Sequence, residues 1–104
     1  PFVPGYESVG MVDAVGAGVT RLREGDRVCA LLVHGGYATH VVRGQEHWVK
    51  VPDGLEAAEV AGSILNGVTA FQMIHRAAGL APGQSAVVNA ANGGVGQALL
   101  TLLA

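Results

Sequence analysis

The chain has 104 residues, half of them apolar (50%) and only 13% charged, with 16 glycines, 4 prolines and a formal net charge of −2. Disordered chains need low hydrophobicity and high charge, and collagen needs a glycine at every third position, so both are excluded. Lys50 and the scattered arginines make up only 6 basic residues and give no basic face, so no nucleic-acid partner is expected.

In chain order, the first half reads as β. Ser8 to Val15 is a predicted strand that ends in Gly16-Ala-Gly18. Arg27 to Val33 is a second strand, entered through the turn Glu24-Gly25-Asp26. Its two sides, Cys29-Leu31-Val33 and Ala30-Leu32, are both apolar, which predicts packing on both faces as in a small barrel. His34-Gly35-Gly36 is a turn into a third strand, Tyr37 to Val42. Trp48 to Val51 is a fourth, stopped by Pro52-Asp53-Gly54. Tyr37 and Trp48 are expected to fill the barrel.

The second half changes period. Ala57 to Ala61 reads as a short helix, and Asn66 as the N-cap of a longer one to about Ala78. Val68, Phe71, Ile74, His75 and Ala78 share one helical face, and Gly79 supplies the stop. Ser85 to Asn89 is a short apolar strand, followed by a glycine-rich turn and a terminal helix. The composition shift at Pro52–Gly54 divides the chain into domains 1–54 and 55–104.

The uncharged stretch Ala77 to Ala104 contains Pro82, Asn89, Asn92, Gln97 and five glycines, so no membrane span is expected. The single cysteine, Cys29, cannot close an intrachain disulfide, and no signal-peptide pattern opens the chain. Both features suit a cytoplasmic protein. The chain begins at Pro1 and stops inside the helical pattern Gln97-Ala-Leu-Leu-Thr-Leu-Leu-Ala104, which reads as a segment of something larger. Leu99, Leu100, Leu102 and Leu103 are therefore expected to lie exposed, or to be covered by another copy of the chain. The segment alone is expected to be inactive and poorly folded.

Ala91-Asn92-Gly93-Gly94-Val95-Gly96 carries the most chemical information. It matches the dinucleotide fingerprint G-x-G-x-x-G with alanine in first place, between a predicted strand and a predicted helix. A glycine at 93 would let backbone approach a pyrophosphate, and one at 96 would let strand and helix pack closely. Free N–H groups at the helix start would hold the anion. The alternative is a tight strand–helix turn with no ligand. The confirming ribose-reading residue would lie about 20 positions further on, past Ala104.

Eight short motifs in order carry a resemblance over nearly the whole chain. They are Pro4-Gly-Tyr-Glu7-Ser-Val-Gly10, Val15-Gly16, Gly25-Asp-Arg-Val28, Gly35-Gly-Tyr-Ala38, Val51-Pro-Asp-Gly54, Thr69-Ala70, Pro82-Gly-Gln84 and Gly93-Gly-Val-Gly96. The succession resembles the medium-chain dehydrogenase/reductase superfamily, its alcohol dehydrogenase and quinone oxidoreductase group. The resemblance implies a mixed β and α/β fold. The later part of a chaperonin-10-like (GroES-like) β-barrel would join the first βα unit of a Rossmann, doubly wound domain. It also implies a nicotinamide cofactor, NADPH with NADH as the alternative, and a homodimeric or homo-oligomeric parent. Thr69 would approach the nicotinamide; a helix threonine bonding back to its own turn is the plain alternative.

Zinc-dependent members of this group place a histidine ligand where Tyr6 stands, and they carry a four-cysteine lobe after the Gly-Asp-Arg-Val motif. Here Cys29-Ala-Leu-Leu-Val-His-Gly-Gly36 follows instead. The chain is thus similar to the zinc-free quinone oxidoreductases, the vesicle-amine-transport-like proteins and polyketide enoyl reductases, and no zinc is expected. Cys29, His34, His40 and His47, with 4, 5 and 6 residues between them, match no compact zinc pattern. Glu7 reads as a structural partner, and His75 as a helix C-terminal cation. The implied reaction is hydride transfer to a quinone or α,β-unsaturated carbonyl. An enoyl reductase module of a polyketide-type synthase, or a non-enzymic nucleotide-binding scaffold, are the alternatives.

Overall fold

A computed structural model describes all 104 residues. The chain forms two compact units, Pro1–Ala61 and Gly62–Ala104.

The first unit is built on a three-stranded antiparallel sheet of β1 (Glu7–Met11), β2 (Arg27–Leu31) and β3 (Val49–Lys50), in that order. Glu7 faces Leu31 and Met11 faces Arg27 across the first pair, and Val28 faces Lys50 across the second. Pairing extends beyond the strands. Val12 N–H donates to the Asp26 carbonyl (2.9 Å), Leu32 N–H to that of Tyr6, and Val51 N–H to that of Arg27 (2.9 Å). The period of two in β2 sends Val28, Ala30 and Leu32 inward, where they are buried with Val51. The expected two-sided burial does not occur: Cys29 is half-buried, Leu31 is exposed and Val33 is 84% exposed. Apolar residues on both sides of β2 mark a strand able to pack twice, but only one side finds cover within these residues.

Two side chains fix the long connection between β1 and β2. Asp26 accepts the Arg23 N–H (2.9 Å) and the Lys50 ammonium (2.6 Å), which closes the Arg23–Asp26 turn and ties it to β3. Gln45 Oε1 accepts the N–H groups of both Thr20 (3.0 Å) and Arg21 (2.9 Å).

Tyr37 to Val42 forms no strand, contrary to the sequence expectation. Tyr37 N–H donates to the Pro4 carbonyl (2.9 Å), but no ladder continues from it. Tyr37 is 78% exposed rather than filling a barrel, while Trp48 is half-buried. Residues 37–42 hold strand-favouring Tyr, Thr and Val, but a strand also needs a partner edge.

The expected short and long helices are one. α1 runs without a break from Ala57 to Gln72 and continues as a π-helical turn, Met73–Ala78. Asn66 is therefore an interior helix residue and not an N-cap; its Nδ2 donates to the Gly62 carbonyl (2.8 Å), one turn back. Gly79 ends the helix in the left-handed conformation (φ 59°), and Leu80 N–H bonds back to the Ile74 carbonyl (3.0 Å).

In the second unit the core is Ala70, Ile74 and Leu99, with Leu80, Val88, Val95 and Ala98 packed around it. Asn66, Ala70 and Ile74 recur at four-residue spacing and form one stripe of the helix. α2 spans Gly94–Leu103 and buries Leu99. Leu100, Leu102 and Leu103 are exposed as expected; Leu99 is not, because it meets Ala70 and Ile74. Ser85 to Asn89 is not a strand, and Val87 is 92% exposed. A parallel strand needs neighbours on its edges, and the only sheet here is β1-β2-β3.

Candidate functional site

The fingerprint forms a turn leading into α2. Ala90 takes the left-handed conformation (φ 53°), unusual for a residue with a Cβ, and its carbonyl accepts the Gly93 N–H (3.0 Å). Gly93 is then the N-cap of α2, extended (φ −82°, ψ 168°) and without a side-chain cap. The helical ladder starts at the bond from Gln97 N–H to the Gly93 carbonyl (2.8 Å). The N–H groups of Gly94, Val95 and Gly96 consequently have no intrahelical acceptor. No acidic side chain occupies the first turn to offset their field. Gln97 Nε2 donates to the Ala91 carbonyl (3.2 Å) and so braces the turn from the helix side.

The three glycines differ in what surrounds them. A Cβ on Gly93 would meet only the Ala90 carbonyl oxygen, at an ordinary 3.4 Å. One on Gly94 would lie 2.7 Å from Asn66 Nδ2. One on Gly96 would fall on the Ala90 carbonyl oxygen and lie 2.7 Å from Ala91 Cα, so α2 crosses the turn too closely for any side chain there. Gly96 is accordingly buried, Ala91 and Val95 are half-buried, and Asn92, Gly93 and Gly94 are exposed. The exposed part of the turn presents two glycines, Gly93 and Gly94, with Asn92 before them, next to N–H donors that have no intrahelical acceptor. That suits a phosphate group of a dinucleotide.

Thr69 lies on α1, half-buried, one turn beyond Asn66. Residues three apart share a helix face. Asn66 is the residue that sequence reasoning missed. Its contact with Gly94 joins α1 to the turn across 28 residues of sequence, and no local pattern encodes such a contact.

The other candidates stay apart. Cys29 faces Val9 across the sheet, and burial pushes its thiol pKa up, away from a reactive thiolate. His34 is tilted against Phe2 (5.9 Å between ring centroids), His40 is 4.0 Å from Asp13 and His47 is 3.4 Å from Glu46. His75 packs on Phe71, with ring centroids 4.3 Å apart. No three His, Cys, Asp or Glu side chains gather where they could hold a metal ion. The first unit also contains a cleft of about 360 Å³ lined by Val12, Val15, Leu22 and Trp48, with His40 and Arg43 among its polar edges. No helix is long and apolar enough to cross a membrane.

Residues 1–84 match the model of the alcohol dehydrogenase GroES-like domain. The human synaptic vesicle membrane protein VAT-1 homolog-like is 40% identical over 98% of this chain, which spans 24% of that protein. Its crystal structure superposes with a TM-score of 0.89, over 33% of the solved chain. The CurK enoyl reductase is 33% identical over 97% of this chain and 30% of its own, with a TM-score of 0.89. The quinone oxidoreductase of Thermus thermophilus, solved also as a complex with NADPH, is 32% identical over 98% of this chain and 30% of its own (TM-score 0.78). This chain thus spans about a quarter to a third of the length of these three relatives. It belongs to the alcohol dehydrogenase GroES-like domain family, within the medium-chain dehydrogenase/reductase superfamily.

Proposed function

We propose that this chain is the part of an NADPH-dependent oxidoreductase that joins the GroES-like domain (1–54) to the start of the nucleotide-binding domain (55–104), and that the parent reduces a quinone or α,β-unsaturated carbonyl without zinc. The observation that carries this reading is the turn at Gly93, where open glycine backbone meets three N–H groups with no intrahelical acceptor. The relatives support it: one is a quinone oxidoreductase with an NADPH complex and another an enoyl reductase.

NADPH, when bound, supplies the hydride. The N–H groups of Gly94, Val95 and Gly96 receive the pyrophosphate, and Gly93 leaves it room to approach. Ala91 and Asn92 form the wall of the turn, and Gly96 holds α2 against that wall. Thr69, on α1, would supply a hydroxyl to the nicotinamide. With Tyr6 where zinc-dependent relatives place a histidine ligand, the oxyanion that develops on the substrate would be stabilised by hydrogen-bond donors. A lone free thiol on Cys29 suits a reducing, cytoplasmic location, and the parent is read as a homodimer or homo-oligomer with a small-molecule substrate.

The test is oxidation of NADPH by the full-length protein with a simple quinone, before and after chelation, together with elemental analysis. Turnover that survives chelation, with no stoichiometric zinc, is expected. One tightly held zinc per chain refutes the metal-free reading, and binding without turnover favours a non-enzymic scaffold. The CurK likeness supports a second reading, an enoyl reductase module of a larger synthase. Reduction of an enoyl thioester in preference to quinones distinguishes it.

A further inference from the structure

Asn66 stands beside the fingerprint and has no part in the reading above. Its Nδ2 donates to the Gly62 carbonyl at 2.8 Å, which fixes the side chain along α1. A Cβ on Gly94 would lie 2.7 Å from that Nδ2, 3.1 Å from Cγ and 3.3 Å from Oδ1. The whole amide therefore covers the Cα of Gly94 and occupies the space a side chain would need. The next residues of the same helical stripe, Ala70 and Ile74, pack into the core with Leu99 of α2. The amide thus ends a continuous line of contact from the core to the first turn of α2.

We propose that Asn66 is a positioning residue for the dinucleotide-binding turn. Its amide sets the spacing between α1 and the start of α2, and with it the placement of the N–H groups that receive the pyrophosphate. Position 94 is glycine to admit this amide and not to admit the ligand. Gly96, by contrast, is confined by backbone, and Gly93 by almost nothing. The side chain is also neutral where it lies. An aspartate of the same shape would put a full negative charge next to the phosphates. The proposal rests on the nicotinamide reading of the site.

The experiment is an NADPH titration of the full-length protein, followed by nicotinamide fluorescence, with thermal midpoints measured without nucleotide. Gly94→Ala must displace the amide from Gly62, and an affinity about tenfold weaker is expected, the scale of one lost hydrogen bond with its unsatisfied partner. Asn66→Ala weakens NADPH binding about fivefold, and the double variant binds no worse than Asn66→Ala alone, because the clash has gone. Asn66→Asp keeps the shape but loses the donation to the Gly62 carbonyl, so its midpoint without nucleotide falls about as far as that of Asn66→Ala. Yet it binds NADPH more weakly than Asn66→Ala does, more than about tenfold below the wild type, because of the added charge. A merely structural role moves the midpoint and spares this selective loss. Additive single effects, or Asn66→Ala or Asn66→Asp binding NADPH like the wild type, overturn the proposal. A wild-type protein that binds no NADPH refutes the nucleotide reading itself, and so is distinguished from those results.

Discussion

Replacing Gly96 with alanine sets two effects against each other, and the structure decides between them. Within a helix, Gly→Ala gains about 1 kcal/mol from propensity. Against that, the new Cβ would fall on the Ala90 carbonyl oxygen and lie 2.7 Å from Ala91 Cα and 2.8 Å from Ala91 C. All three are backbone atoms, and no side chain can rotate away. Restoring an ordinary 3.4 Å contact to all three atoms requires the start of α2 to retreat by about 1 Å from the turn. That movement stretches the bond from Gln97 Nε2 to the Ala91 carbonyl, now 3.2 Å, beyond hydrogen-bonding range. Overpacking of this kind costs roughly 1–3 kcal/mol, and the rigid partners place this case at the upper end. The net expectation is a loss of about 1–2 kcal/mol. It is measured by urea unfolding of the full-length protein, with NADPH affinity at least about tenfold weaker because the N–H groups have moved. A Gly96→Ala protein as stable as the wild type, with unchanged affinity, would refute the close-approach reasoning.

Gly93→Ala separates the ligand from the packing. Its Cβ meets nothing nearer than 3.4 Å, so stability should hold within about 0.5 kcal/mol while NADPH affinity falls at least about tenfold, as read by calorimetric titration and thermal melts. Lys50→Met tests the Asp26 ion pair through pH. The Lys50 hydrogen bond first, and the Arg23 N–H second, hold the Asp26 carboxyl below its ordinary 3.8. A depressed folded-state value stabilises the fold above the unfolded value and ceases to do so as pH falls through the folded one. Removing Lys50 raises that folded value, so acid unfolding followed by circular dichroism should begin at higher pH in the variant. An unchanged acid limb would show that the pair does not contribute.

What the sequence could reveal was local. The fingerprint announces itself through the spacing of Gly93 and Gly96, and the structure brings both to a turn that opens α2. β2 and the Gly79 stop were likewise readable, since a short apolar run entered through a turn and a left-handed glycine are properties of a few consecutive residues. The failures were relational. Residues 37–42 and 85–89 have strand-like patterns, yet a strand is completed by a neighbour, and neither segment has one. Asn66 looks like a cap because Asn favours caps. Its backbone is instead carried through by the continuous helix from Ala57, and its side chain turns to Gly62 and Gly94. The left-handed Ala90 has no sequence signature, since alanine is among the residues least suited to that conformation.

In the reading proposed above, the turn from Ala91 to Gly96 receives a nicotinamide dinucleotide. Calorimetric titration of the full-length protein with NADPH, repeated with Gly93→Ala, tests it most directly. One NADPH per chain is expected, with an affinity on the order of micromolar for the wild type and at least about tenfold weaker binding by an equally stable variant. A wild-type protein that takes up no NADPH, or a Gly93→Ala variant that binds it equally well, would contradict the account.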